Sequence, residues 1–176
     1  AKDIPLTKVL CFFKQRESHN IWIGTEDEGL IEYKYDKSND DYKVSRTFSD
    51  DDGLNSNNVQ SIIEDYEKNL WIGGFGDGVS KVSVSPTGNT ILNVKYFGED
   101  QGLANNYINN VYQDFEGNIW LATFGGGIVQ ITDEIFTHYF TSDDLRSNSI
   151  QTLIRDKHGN FWLGTDKGLI KVNYNN

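Results

Sequence analysis

Residues 57–74 read Asn57-Asn58-Val59-Gln60-Ser61-Ile62-Ile63-Glu64-Asp65-Tyr66-Glu67-Lys68-Asn69-Leu70-Trp71-Ile72-Gly73-Gly74. Two short apolar stretches flank a polar turn, and the second ends in glycines, which is how a β-hairpin is written. A helical reading rests on the i, i+4 spacing of Ile62, Tyr66 and Leu70. It fails because the segment is short between breakers and runs into the strand-like Trp71-Ile72-Gly73-Gly74.

The stretch recurs. Asn20-Ile21-Trp22-Ile23-Gly24-Thr25, Asn118-Ile119-Trp120-Leu121-Ala122-Thr123 and Asn160-Phe161-Trp162-Leu163-Gly164-Thr165 repeat its second half. The tryptophans lie 49, 49 and 42 residues apart, the length of a four-stranded propeller blade. Upstream, Val9, Val59, Ile108 and Ile150 each open an apolar strand, followed three residues on by Phe12, Ile62, Val111 or Leu153. Downstream, Gly29, Gly78, Gly127 and Gly168 open another, in which polar Glu32, Lys81, Gln130 and Lys171 precede Tyr33, Val82, Ile131 and Val172. A fourth string ends in Phe48, Phe97 and Phe140. With strands named A to D, the second repeat spans 59–64, 69–73, 78–84 and 94–97.

The expected fold is therefore all-β: a β-propeller of four repeats of four-stranded antiparallel blades, at about 8–48, 58–97, 107–140 and 149–174, in one unit of residues 1–176. After Val172 only Asn173-Tyr174-Asn175-Asn176 follow, so the last blade is expected to lack its outer strand. Fifteen strands do not close a ring of four blades, and the chain is expected to form an arc of a larger propeller, with edges open to another copy. Each tryptophan should wedge between sheets; burying roughly 200 Å² of ring at about 25 cal/mol per Å² contributes on the order of 5 kcal/mol apiece. Cys11, Ser61, Asn110 and Thr152 share one position on strand A, nearest the axis, which makes the lone cysteine a small packing residue.

Composition narrows the function. A net charge of −10 disfavours nucleic acid, no apolar run is long enough for a membrane span, and a single cysteine excludes an internal disulfide. The sequence starts at Ala1 and contains no methionine, as expected of a mature or excised piece of something longer. His19 and His158 fall in A–B turns and His138 in strand D, with no Ser/His/Asp order, phosphate loop or zinc spacing. No catalytic residue, metal site or cofactor is expected. Asp36-Lys37-Ser38-Asn39-Asp40-Asp41 begins like a calcium loop, but Asp41 and Thr47 stand where Gly and Glu are required, leaving a solvated C–D loop. Asp50-Asp51-Asp52-Gly53 reads as a polar turn.

The face carrying the B–C and D–A connections approaches the central channel. Glu26, Asp27, Phe75, Asp77, Phe124, Asp166 and Lys167 come from B–C loops, and Asn57, Asn58, Asn106, Tyr107 and Asn148 from D–A loops. Amides, carboxylates and aromatic rings suit sugar hydroxyls and ring faces. Asn in such loops also commonly satisfies its own turn.

The 57–74 string, the Gly-Leu-x-Asn-Asn loops and Gly125-Gly126-Gly127 resemble the two-component regulator propeller repeat, in four copies covering the whole chain. The resemblance implies the extracytoplasmic, periplasmic sensor region of a bacterial hybrid histidine kinase, of the kind that controls polysaccharide use. The implied ligand is an oligosaccharide bound by the complete receptor, and the implied partners are further blades and the kinase. Departures are Asp27-Glu28 for Gly-Gly, Lys68 for a turn glycine, and a shortened Asp166-Lys167-Gly168, all on loops. Streptogramin-lyase propellers share a similar repeat but need a histidine and carboxylates around an axial metal, and no histidine falls on a strand A. A protein-interaction scaffold using the same loop face is the remaining alternative.

Overall fold

A computed structural model describes residues 7–85, 91–139 and 145–173. Blade 1 is β1 (Val9–Lys14), β2 (Ile21–Thr25), β3 (Leu30–Asp36) and β4 (Asp41–Phe48). Blade 2 is β5 (Val59–Glu64), β6 (Asn69–Gly74), β7 (Val79–Val84) and β8 (Ile91–Phe97). Blade 3 is β9 (Ile108–Gln113), β10 (Ile119–Thr123), β11 (Ile128–Thr132) and β12 (Ile135–Tyr139). Blade 4 has β13 (Ile150–Arg155), β14 (Phe161–Thr165) and β15 (Gly168–Val172). Each is an antiparallel sheet in chain order, so the propeller reading holds with four, four, four and three strands among the described residues. Phe140, Asp144 and Tyr174 to Asn176 lie outside the described residues.

Successive blades pack through their first strands: β1 on β5, β5 on β9, β9 on β13. Among the described residues blade 4 makes no comparable contact with blade 1, so the four blades form an open arc. Among the described residues the three gaps between blades hold three apolar cores, built alike. Between blades 1 and 2, Trp22, Leu30, Phe48 and Leu54 meet Val59, Ile62, Leu70 and Ile72. Between blades 2 and 3, Trp71, Val79, Phe97 and Leu103 meet Ile108, Val111, Ile119 and Leu121. Between blades 3 and 4, Trp120, Ile128 and Leu145 meet Ile150, Leu153, Phe161 and Leu163, with Tyr139 against them. The leucine of each D–A loop is thus a core residue, a role its polar neighbours conceal.

One position is reassigned. Phe48 pairs with Leu30 and Phe97 with Val79, but the residue opposite Ile128 is Tyr139, not Phe140. Its ring lies 5.7 Å from Trp120, as Phe97 lies 5.5 Å from Trp71. The cause is the C–D turn. In blade 3 the two-residue turn Asp133-Glu134, with φ of 47° and 67°, fixes the register. The outer hairpins of blades 1 and 2 each carry an irregularity instead. Strand C also starts one residue later than expected in blades 1 to 3. Gly29 and Gly78, with φ of 78° and 73°, precede it, and a Cβ there would lie 2.2 Å from the Phe48 carbonyl oxygen and 2.3 Å from that of Phe97.

Trp22, Trp71 and Trp120 are buried, whereas Trp162, on the outer side of blade 4, is only partly so. The aspartate six residues before the tryptophan ties turn to core. The Trp71, Trp120 and Trp162 indole N–H groups donate to Asp65, Asp114 and Asp156 at 2.8, 2.7 and 2.9 Å. Each aspartate also accepts from the backbone and side-chain amide of the turn asparagine, Asn69, Asn118 or Asn160. Side-chain bonds from Asn160 and Trp162 hold Asp156 well below the usual carboxylate range. Blade 1 lacks the aspartate, and Trp22 instead reaches Gln15 at 3.5 Å.

Glu32, read as the polar member of a half-buried strand, is fully buried. Arg46 across the sheet pairs with it at 3.1 Å, Asn20 donates to it at 2.9 Å, and the Arg46 guanidinium lies 4.1 Å from the Phe48 ring centroid. Lys68 takes the left-handed turn position, φ 70°, that Gly117 and Gly159 occupy at 93° and 85°. Replacing Lys68 by glycine is expected to stabilise the chain by about 0.5–1 kcal/mol, because a side chain strains that conformation. An unchanged or lower urea midpoint would contradict it.

Candidate functional site

At the axial end, one residue pair repeats at the close of the inner hairpin in blades 1 to 3. Glu26 N donates to Lys8 O at 3.0 Å, Phe75 N to Asn58 O at 3.2 Å, and Phe124 N to Tyr107 O at 2.9 Å. Phe75 and Tyr107 form one isolated bridge, and Phe124 and Ser149 another. This geometry brings three of the expected residues together. The rings of Phe75 and Tyr107 meet edge to face at 4.8 Å, and Phe75 and Phe124 lie 6.4 Å apart. All three remain exposed, at 40%, 42% and 51%. Side chains on neighbouring blades thus make a continuous aromatic shelf in water.

The shelf is flanked by polar groups. On the blade 1 side Glu26 pairs with Lys8 at 2.7 Å, and Asp27 accepts from the Thr7 hydroxyl. On the blade 4 side Asp166 accepts from the Ser147 hydroxyl at 2.5 Å. The Lys167 amide closes the turn onto Thr165. Burial, together with the carboxylates of Asp100, Asp77 and Glu99, pushes the Tyr96 hydroxyl pKa up.

The asparagines do different work. The carbonyls of Asn57, Asn106 and Asn148 accept from Gly29, Gly78 and Gly127 of the preceding blade at 2.9, 2.8 and 2.8 Å. The Asn57 side chain exchanges two bonds with Asp50, and that of Asn106 accepts from the Glu99 amide. Asn58 accepts from Gln60 at 2.7 Å. The side chains of Asn57, Asn58 and Asn106 thus brace their own loops, while the carbonyls tie those loops to the preceding blade. Asp77 meets Asn55 through its carbonyl. Sequence reasoning missed Lys8 and Ser147, whose partners are 18 and 19 residues away.

A cleft of about 420 Å³ opens at the opposite end, between blades 2 and 3, where no site was expected. Tyr66, Glu67, Lys81, Glu116, Asp133 and Glu134 are among its lining residues. Between blades 3 and 4 the corresponding strand-A end carries Arg155, whose guanidinium bonds Asp114 at 3.2 Å and also meets Glu116. Gln113 stands in that place between blades 2 and 3 and accepts from the Tyr66 amide, leaving space.

The histidines and the cysteine stand apart. His19 and His158 sit in turns and His138 in the outer strand β12. Among the described residues no three His, Cys, Asp or Glu side chains converge as metal ligands. Burial pushes the Cys11 thiol up to about 12, so it is protonated at neutral pH. Asp36 holds its own turn by accepting from Ser38, Asn39 and Lys43.

The two component regulator propeller family matches residues 53–76, 102–125 and 144–167. Each match runs from a D–A loop through the tryptophan strand into the following B–C loop. Three of the four blades thus carry a segment similar to the two component regulator propeller repeat. The extracellular domain of a protein described as a hybrid two component system of B. thetaiotaomicron is 28% identical, with a TM-score of 0.78 over 93% of this chain and 21% of its own. A second such extracellular domain from that organism is 24% identical, with a TM-score of 0.73 over 98% of this chain and 24% of its own. Virginiamycin B lyase from Staphylococcus aureus, 13% identical with a TM-score of 0.63 over 98% of this chain and 58% of its own, shares the fold alone. The chain therefore spans between a fifth and a quarter of the two-component-type structures it matches. No curated protein matches it. Among the described residues no helix is long and apolar enough to cross a membrane.

Proposed function

We propose that the chain is a non-catalytic, ligand-sensing propeller segment of a two-component system, working outside the cytoplasm, in the periplasm, within a longer receptor coupled to a histidine kinase. Its ligand is an oligosaccharide. The observation that carries this reading is the exposed shelf of Phe75, Tyr107 and Phe124 beside Lys8–Glu26 and Asp166. Sugar rings present apolar C–H faces that stack on aromatic rings, while their hydroxyls pair with flanking carboxylates. Single apolar side chains on a surface are ordinary, but three rings in contact across two blades form a patch of the kind that marks a binding site.

The test is calorimetric titration of an oligosaccharide panel into the 176-residue chain and into the longer receptor. Phe75→Ala and Phe124→Ala should each weaken binding by about tenfold, since stacking contacts contribute about 0.5–1.5 kcal/mol beyond area. His138→Ala should change nothing. The reading is overturned if no member of the panel binds either protein, if binding ignores both ring truncations, or if the sugar is turned over.

A further inference from the structure

We propose that the cleft between blades 2 and 3 is a docking site for an arginine side chain of a partner polypeptide. The inference is independent of the sugar-sensing role, which lies at the other end of the blades. It rests on what the chain's own neighbouring gaps hold at the same place.

In both of those gaps the A–B turn of one blade meets a cation of the blade that follows. Between blades 3 and 4 the Arg155 guanidinium bonds Asp114 at 3.2 Å and also meets Glu116. Between blades 1 and 2 Lys68 meets Glu17. Between blades 2 and 3 the matching acids are Asp65 and Glu67, six and four residues before Trp71, as Asp114 and Glu116 stand before Trp120. Blade 3 has no cation to offer them, because residues 107–139 contain neither lysine nor arginine.

Gln113 stands in the place of Arg155 and stops short. Its Nε2 donates to the Gly117 carbonyl at 3.2 Å, just as Arg155 Nε donates to the Gly159 carbonyl at 3.2 Å. Beyond that bond Arg155 continues to the acids of the preceding blade. Gln113 ends there, its oxygen taken by the Tyr66 amide at 3.0 Å, and a cleft of about 420 Å³ is left open.

The chemistry of the cleft suits a guanidinium. Five carboxylates line it, Asp65, Glu67, Glu116, Asp133 and Glu134, against the single ammonium of Lys81. Lys81 lies 5.4 Å from the Trp71 ring centroid, 3.4 Å from Glu67 and only 3.9 Å from Asp65. Lys95 pairs with Glu134 and Arg155 with Glu116, while among the described residues Asp133 pairs with no cation. Trp71 and Phe97 give the cleft an apolar lining that a methylene stem can cover, and exposed Tyr66 adds a further ring. A planar fork that bonds two carboxylates and stacks on rings fits this set better than a compact ammonium does.

The test titrates a capped Gly-Gly-Arg-Gly-Gly peptide into the isotope-labelled chain and follows two-dimensional NMR spectra. The Tyr66 amide and the Trp71 indole N–H should shift and saturate, while the Trp22 and Trp162 indoles stay in place. The same peptide with citrulline, close in shape but neutral, should leave all four signals unmoved. Gln113→Arg puts the chain's own guanidinium in the cleft and should weaken the arginine peptide by about tenfold. If that variant perturbs the fold by circular dichroism, Glu67→Gln replaces it, at a side chain 77% exposed, and should weaken binding by roughly threefold. The proposal is overturned if the arginine peptide gives no saturable shift, if the citrulline peptide moves Tyr66 and Trp71 equally, or if binding is undiminished in the folded variant.

Discussion

Trp120→Ala should lower the stability of the chain by about 3–5 kcal/mol, the range for removing a large buried aromatic side chain. Trp120 is almost fully buried, with ring centroids 4.4 Å from Phe161 and 5.7 Å from Tyr139. Its removal empties the gap between blades 3 and 4 and strips Asp114 of an indole N–H at 2.7 Å. Whole domains are stable by only about 5–15 kcal/mol, so the loss is a large share of the total. Trp120→Phe keeps the ring face but not the donor and should cost about 1–3 kcal/mol. Lys37→Ala, in the exposed C–D turn, should stay within about 0.5 kcal/mol. Urea melts followed by circular dichroism check the series. Equal, small effects at Trp120 and Lys37 would refute the packing described here.

Asp114→Ala is expected to cost about as much, roughly 3–5 kcal/mol, for an electrostatic reason. The carboxylate is 1% exposed and accepts from Glu116 N, Asn118 N, Asn118 Nδ2, Trp120 Nε1 and Arg155 Nη1. Deleting it takes a partner from a turn, an indole and the Arg155 guanidinium, whose side chain is only 7% exposed and which keeps Glu116 and the Gly159 carbonyl. Removing one partner of a buried pair costs more than the pair contributes, because the other charge stays desolvated. The double variant Asp114→Ala/Arg155→Met should therefore be less destabilised than the sum of the singles. Strict additivity in denaturant melts would show that the two groups are not coupled.

The blade repeat was legible because it is local: tryptophan, glycine and turn chemistry lie within one hairpin. The Asp–Trp tie was partly legible. Its spacing of six is plain in the sequence, but turn chemistry alone accounts for the aspartate and hides the indole. Tyr139 was misread for Phe140 because phenylalanine recurs in the other blades, while the residue that sets the register is a turn at Asp133-Glu134 with unusual dihedrals. Spacing was the better guide: Tyr139 lies as far before Ile150 as Phe97 lies before Ile108. Glu32 looked solvent-facing because its partner Arg46 lies 14 residues on, in the opposing strand. In the candidate site the residue types were readable, but the division of labour was not. Asparagines of the D–A loops and aromatics of both loop sets share one face, and only the hydrogen-bond partners separate those that brace loops from those that face water.

The gaps between blades also bear on how such a chain arises. In each, a tryptophan, a strand-C opener, a terminal aromatic and a loop leucine receive the next unit's first two strands. No gap requires a partner of unique shape, so the parts are interchangeable. An in-frame duplication of one 49-residue unit inserts a blade whose two faces already match its neighbours. A deletion rejoins faces that match as well. Unequal crossing-over between copies, ruinous for a protein with one central core, here changes the blade number and leaves every interface intact. Selection can then vary the exposed loop tips of each copy separately, without renegotiating the scaffold.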